Sequence, residues 1–179
     1  MNTGSGVAGA LSPAQALGIT EDYLEARGLR ACVEATALVC AEVAADGREF
    51  LLTPATAAAW HTMKAAAAAD GLTLVIESAL RSVARQAEIL RGKLDAGQTL
   101  DEALQWVAPP GYSEHHTGRA IDIGTPGSAA FEEEFEATPA YAWLQRHAAA
   151  HGFTLSYPRG NAQGYGYEPW HWCHQAVGG

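Results

Sequence analysis

Two short stretches hold the residues best suited to chemistry. SEHHTGRAIDI (113–123) carries His115, His116 and Asp122, the acid seven residues after the first histidine. GYGYEPWHW (164–172) carries Glu168 three residues before His171. A catalytic zinc takes three protein ligands with nitrogen and oxygen donors and leaves its fourth position to water. The metal lowers the pKa of that water to about 7. A nearby carboxylate outside the ligand set can then move protons. On this chemistry two histidines and Asp122 supply the ligands and Glu168 the base, with one zinc per chain. His116 is the rival to His115 and reads as exposed or as a support for the ligand. Cys173, two residues past His171, is not needed once three ligands are assigned.

The elements must bring these residues to one point. RAIDIG (119–124) alternates like a strand, so a loop–strand junction joins His115 to Asp122. YEPWHWCH reads as a last strand. Simple alternation would then send Glu168 and His171 to opposite faces, so Pro169 has to bend the chain. Upstream, Ser12-Pro13 is a helix start, and that helix is expected to end near Gly28. LVCAEVA and REFLL flank Asp46-Gly47, a hairpin signal. Thr53-Pro54 opens an alanine-rich helix to about Ala69, stopped by Asp70-Gly71.

LTLVIES (72–78) is β-branched and apolar, a buried strand. SVARQAEILRGKL (82–94) and TLDEALQWV (99–107) have helical spacing. Thr138-Pro139 opens a helix to about Ala150, and FTLSYP is a further strand. Hairpins and separate helices, rather than repeated strand–helix units, predict an α+β fold with a largely antiparallel sheet.

Bulk properties narrow the class. The 179 residues suit one domain, with 1–11 a flexible lead and 12–179 the folded unit. Hydrophobic residues are 48% and charged residues 17%, which excludes a disordered chain. The net charge of −9 repels phosphate backbones, so nucleic acid is not the expected partner. The block Glu132, Glu133, Glu134 and Glu136 reads as a solvated face. Three cysteines make no disulfide framework; Cys32 and Cys40 could pair, but buried thiols are expected. No run of about 18 apolar residues is present, so no membrane span is expected. The opening residues do not read as a secretory signal, which points to the cytoplasm or to an export segment outside this chain. His61, His147, His151 and His174 read as surface or packing residues, and Trp170 and Trp172 as core.

The motifs carry a resemblance. Ser113, His115, Gly118, Ala120 and Asp122 meet the pattern Ser-x-His-x-x-Gly-x-Ala-x-Asp. Glu168 to His171 meet Glu-Pro-Trp-His, and SALRSVARQ (78–86) is similar to a Ser-x-x-Arg-Ser…Gln stretch. In this order they resemble the VanY-type D-alanyl-D-alanine carboxypeptidases. That family is related to the VanX dipeptidases and the hedgehog signalling domain. The resemblance covers about residues 50–173. It implies a hedgehog/D-Ala-D-Ala peptidase-like fold: a small antiparallel sheet, flanking helices and zinc in a cleft. It makes His115, Asp122 and His171 the zinc ligands and Glu168 the general acid/base. Arg81 becomes the residue for the substrate's terminal carboxylate or the oxyanion, with Ser113 and Gln86 as substrate contacts. The chain departs from the family where Cys173 and His174 replace a usual Arg-Tyr, and where Leu80 stands for an aromatic residue.

The substrate so implied is a peptidoglycan stem peptide that loses its C-terminal D-alanine. A D-Ala-D-Ala dipeptidase, an L,D-carboxypeptidase or endopeptidase, and a zinc-bearing binding module without catalysis are the alternatives. No protein partner is inferred. The resemblance points to the periplasm or cell wall, against the cytoplasmic reading of the opening residues.

Overall fold

The computed structural model describes residues 11–175. The expected lead at 1–11 therefore lies outside the described residues, Leu11 excepted. In chain order the elements are α1 (Glu21–Ala26), β1 (Val39–Val43), β2 (Glu49–Leu52), α2 (Pro54–Ala69) and β3 (Val75–Ser78). There follow α3 (Val83–Asp95), α4 (Leu100–Leu104), β4 (Ala120–Gly124), α5 (Pro139–His147), β5 (Phe153–Leu155) and β6 (His171–His174). The fold is α+β. Strands β3, β4, β6 and β5 lie side by side in that order, each pair antiparallel. β1 and β2 form a separate hairpin across the Asp46-Gly47 turn.

Local chemistry accounts for most boundaries. Thr53 caps α2 by accepting from the Thr56 N–H, with Pro54 in the first turn. Thr138 does the same for α5 through the Tyr141 N–H, followed by Pro139. Thr99 and Glu102 close a reciprocal capping box on α4.

Several boundaries differ from the sequence reading. The expected helix from Ser12 to Gly28 is two pieces: a 3-10 turn at Gln15–Leu17, then α1. Gly18 takes φ 84°, which ends the first piece, and Thr20 caps the second. α4 stops at Leu104, short of the expected Val107. β3 begins at Val75 rather than Leu72. The helix expected to Ala150 is α-helical only to His147 and finishes as a 3-10 turn before Gly152. Cys40 is exposed and Cys32 half-buried, and neither is in a disulfide, so only Cys173 is the expected buried thiol.

Two apolar cores hold this together. The larger joins the sheet to α2 and α5 through Trp60, Met63, Leu74, Ile121, Ile123, Trp143, Leu144, Phe153 and Trp172. The smaller joins the N-terminal segment to α3 and α4 through Ile19, Leu24, Leu90, Ala103 and Leu104. Among the described residues no helix is long and apolar enough to cross a membrane.

One turn fixes how the chain enters β4. Gly118 has φ 63°, and its carbonyl accepts from the Thr53 N–H at 3.0 Å. A Cβ there would meet Leu38 Cδ2 at 3.1 Å and Thr53 backbone nitrogen at 3.3 Å. Gly118→Ala is therefore expected to destabilise the fold by about 2 kcal/mol or more. Gly92, inside α3 with open space around it, is the control. Gly92→Ala should stabilise by about 0.5–1 kcal/mol. Urea unfolding of both variants checks the opposite signs.

Candidate metal centre

The sheet register builds the centre. Asp122 sits in β4 with Ser78 of β3 opposite it on one side and His171 of β6 on the other. Directly opposed residues of antiparallel strands share a face with their Cβ atoms about 5 Å apart. Asp122 Oδ1 lies 3.0 Å from His171 Nδ1. His115 comes from the 3-10 turn Glu114–Thr117, capped by Ser113, whose Oγ accepts from the His115 N–H. Its Nε2 lies 3.1 Å from Asp122 Oδ2. One ligand atom each from His115, Asp122 and His171 fall within 4.8 Å of one another, and all three residues are buried.

The outer nitrogens of both rings are already engaged. His115 Nδ1 lies 2.7 Å from the Ala79 carbonyl. A proton there leaves Nε2 bare toward Asp122. His171 Nε2 lies 3.0 Å from Glu114 Oε2. A proton there leaves Nδ1 bare toward the same point. Once their inner nitrogens give up any proton, two imidazoles and a carboxylate, with each ring oriented from behind, would be the donor set of a metal site with oriented ligands. Glu114 went unrecognised in the sequence reading. Its only signal was an acid next to the motif histidine.

Glu168 does not sit in the strand. The His171 N–H donates to the Glu168 carbonyl at 3.1 Å, and Pro169 and Trp170 form the turn between them. The bend demanded at Pro169 is present, and the two side chains meet: Glu168 Oε2 is 3.9 Å from His171 Nδ1. Arg81 Nη2 is 3.8 Å from Asp122 Oδ2 and donates to Ser78 Oγ at 3.1 Å. Gln86 is fully buried beneath Arg81. Its Oε1 accepts from Arg81 and its Nε2 donates to the Ala108 carbonyl. Both ends of its amide are thus engaged within the protein. His116 is buried, bridging the Arg81 carbonyl through Nδ1 and the Gly111 N–H through Nε2. It supports the site and does not face the cluster of ligand atoms. A cleft of about 1060 Å³ opens over the cluster, lined among others by Arg81, Ser113, Trp106, Phe131, Glu168 and Trp170.

Electrostatics separate the carboxylates. Burial pushes Asp122 up, but His115 and His171 outweigh it and hold it well below the usual carboxylate range. Burial also opposes ionised Glu114, yet His171 and the Ser156 hydroxyl bring it down to about 2. For Glu168 burial wins: with Asp122 and Glu114 adding repulsion, its pKa rises to about 7 against the pull of His171 and Arg81. Burial lowers His115 in spite of Asp122. His171 resists burial through its hydrogen bonds to Asp122 and Glu114 and rises to about 10 in the metal-free protein.

The raised Glu168 has a measurable cost in the metal-free chain. Its folded pKa of about 7 lies above the ordinary 4.5. Its contribution to stability is present below the unfolded value and is lost as pH climbs through 7. Glu168→Gln should therefore gain about 2–4 kcal/mol more stability over wild type at pH 8 than at pH 4. Denaturant unfolding in chelator at the two pH values tests this; an equal gain at both would mean the carboxyl is not perturbed.

Comparison with known proteins places this geometry in a family. The sequence pattern described as VanY, D-alanyl-D-alanine carboxypeptidase, matches residues 49–177. A D-alanyl-D-alanine carboxypeptidase of Enterococcus faecalis is 34% identical over 122 residues, 63% of this chain and 44% of that protein. The chain spans under half the length of the curated relatives first matched, 44% and 42%. The solved structure of the LdcB LD-carboxypeptidase superposes with TM-score 0.71 and 32% identity, covering 79% of this chain and 69% of that one. A mutant of the vancomycin-resistance D,D-pentapeptidase VanY, solved with Zn(II), superposes with TM-score 0.59 and 27% identity, covering 83% and 82%. The fold is the one these peptidases share, and the chain belongs to the VanY family of D-alanyl-D-alanine carboxypeptidases.

Proposed function

We propose that this chain is a zinc-dependent carboxypeptidase that removes the C-terminal D-alanine from peptidoglycan stem peptides, with residues 12–179 acting as one catalytic unit. The observation that carries the reading is the meeting of three buried ligand atoms within 4.8 Å, with the Glu168 carboxylate 3.9 Å from one of them. His115 Nε2, Asp122 and His171 Nδ1 would hold the metal. Zinc, when bound, supplies Lewis acidity toward the scissile carbonyl and acidifies water.

The remaining steps belong to the chain's own residues. Glu168 accepts a proton from the attacking water and passes it to the leaving amine. A carboxyl that burial raises to about 7 can do both at neutral pH. Arg81 offers its guanidinium to the terminal carboxylate or to the developing oxyanion. Gln86, with its amide spent on Arg81 and Ala108, sets the direction of that guanidinium rather than touching substrate. Ser113 lines the cleft and fixes the turn that carries His115.

The cleft leaves room for a peptide longer than a dipeptide. Its volume of about 1060 Å³ lies at the upper end of the roughly 300–1,000 Å³ of small-ligand sites. The likeness to LdcB, an LD-carboxypeptidase, supports a second reading, in which the bond cleaved joins a diamino acid to D-alanine.

The test pairs metal content by mass spectrometry with D-alanine release from pentapeptide, tetrapeptide and dipeptide. Wild type should hold one zinc per chain and release D-alanine from the pentapeptide. His115→Ala should lose both properties. Glu168→Ala should keep zinc and lose at least ~10²-fold in turnover. Release from tetrapeptide alone would move the assignment to the L,D reaction. Zinc without release from any peptide would leave a binding module.

A further inference from the structure

The family pattern begins at residue 49, yet the segment before it reaches the catalytic loop. We infer that Arg27 is a positioning residue for Glu168: it ties the N-terminal segment to the loop 161–168 that delivers that carboxylate. The inference rests on Glu168 being the proton carrier proposed above.

Arg27 is the C-terminal cap of α1, whose Leu24 is buried in the smaller core against α3 and α4. That core gives the guanidinium a fixed base. Its Nη1 donates to the Leu104 carbonyl at the end of α4, at 3.0 Å, and to the Tyr23 hydroxyl. Its Nε donates to the Gln163 carbonyl in the loop. One planar fork thus joins three pieces of backbone that are far apart in sequence, a task suited to arginine rather than lysine.

The guanidinium also lies 4.4 Å above the Tyr165 ring centroid. Tyr165 packs edge-on against Tyr157 at 4.9 Å, and Tyr157 lies 4.7 Å from the His171 ring. A continuous stack therefore runs from Arg27 to a proposed metal ligand. The Tyr165 hydroxyl and Arg27 Nη2 are each buried with no hydrogen-bond partner among the described residues. The Tyr165 ring is thus held by packing, with Arg27 over its face and Tyr157 in an edge contact. The loop has further ties: the Tyr167 hydroxyl, next to Glu168, shares a hydrogen bond with the Tyr141 hydroxyl at 2.8 Å, and Arg159 lies 4.0 Å over the Tyr167 ring centroid. Asn161 clasps both the N–H and the carbonyl of Tyr165. The Gly166 N–H donates to the Gln105 carbonyl, and the Glu168 N–H to the Tyr157 carbonyl. Two of the groups that the loop touches, Leu104–Gln105 and Tyr157, are therefore aligned by the same guanidinium or by the ring it covers.

The consequence is specific. Loss of the fork loosens 161–168 while leaving β4 and β6, which carry Asp122 and His171, in register. The zinc-loaded full chain, as wild type, Arg27→Ala and Arg27→Lys, is followed by amide hydrogen exchange and by D-alanine release from stem pentapeptide. Exchange at Tyr165, Gly166 and Glu168 should rise about 10-fold in Arg27→Ala, with the amides of β4 and β6 unchanged. kcat should fall by about 10- to 100-fold with KM held within about 2-fold and zinc content retained, since small misplacement of a reacting group costs that much. Arg27→Lys, which keeps the charge over Tyr165 and loses the fork, should fall between the two and serves if the alanine variant does not fold. Unchanged exchange in the loop would overturn the inference. So would a rise spread equally over β4 and β6, or a looser loop with unaltered kcat. A wild-type chain that releases no D-alanine would sink the proposed reaction instead, and the exchange data would still show whether Arg27 holds the loop.

Discussion

A single buried carboxylate organises the molecule. Asp122 stands between two imidazoles, 3.1 Å from His115 and 3.0 Å from His171. An ionised acid in that position is costly unless it is paired on every side. The pairing is supplied by backbone that cannot shift independently. His171 is its cross-strand neighbour, Ser78 its neighbour on the other edge, and His115 hangs from a turn whose glycine is locked against Thr53. A one-residue slip of β6 on β4 would turn His171 to the opposite face and leave Asp122 without its partner. The register of the sheet and the chemistry of the centre are therefore one constraint.

Three carboxyl groups share this small volume, and their environments drive them apart. Asp122 and Glu114 each gain a histidine at hydrogen-bond distance and stay ionised. Glu168 has no such bond: its nearest histidine nitrogen is 3.9 Å away, too far to offset burial and two neighbouring anions. Carboxyl groups whose pKa values are pushed apart mark a division of labour. Those held low are suited to hold a cation and orient a ligand. The one held near neutrality is suited to carry a proton.

Much of this was legible in the sequence because it is written in local chemistry. Thr53-Pro54 and Thr138-Pro139 are caps with a proline in the first turn, and Asp46-Gly47 is a turn that only a few residue types can make. The spacing of Gly118 in its motif has a physical cause, since its left-handed backbone and close approach to Leu38 and Thr53 make any side chain there strained. The parts that were not legible depend on distant contacts or on conformations with weak local signals. Nothing near Glu114 announces that its partner is His171, 57 residues on. The helix expected from Ser12 to Gly28 fails at Gly18, a residue that a helical pattern tolerates until its φ turns positive. Gln86 was expected at the substrate from its match to the family stretch; its amide bonds to Arg81 and Ala108 could not be read there, because Ala108 lies 22 residues on. Arg27 shows no motif at all, and its partners Leu104 and Gln163 lie 77 and 136 residues away.

The placement of Glu168 shows how a local rule and a distant demand are reconciled. Period-two alternation would put it across the sheet from His171, where it could reach no substrate held at the metal. Proline at 169 has no N–H to give to a ladder and fixes its own φ, so a strand running through it is disfavoured. The chain instead turns over Pro169 and Trp170, closed by the bond from the His171 N–H to the Glu168 carbonyl. Trp170 and Trp172 are buried in the main core. Their anchoring fixes His171 at the first position of β6. Glu-Pro-Trp-His is then a physical unit: an acid freed from the strand, a breaker, an anchor and a ligand. The acid is the one member whose position is not set by the sheet. It needs support from the loop before it, and that loop is where the N-terminal segment makes its contact.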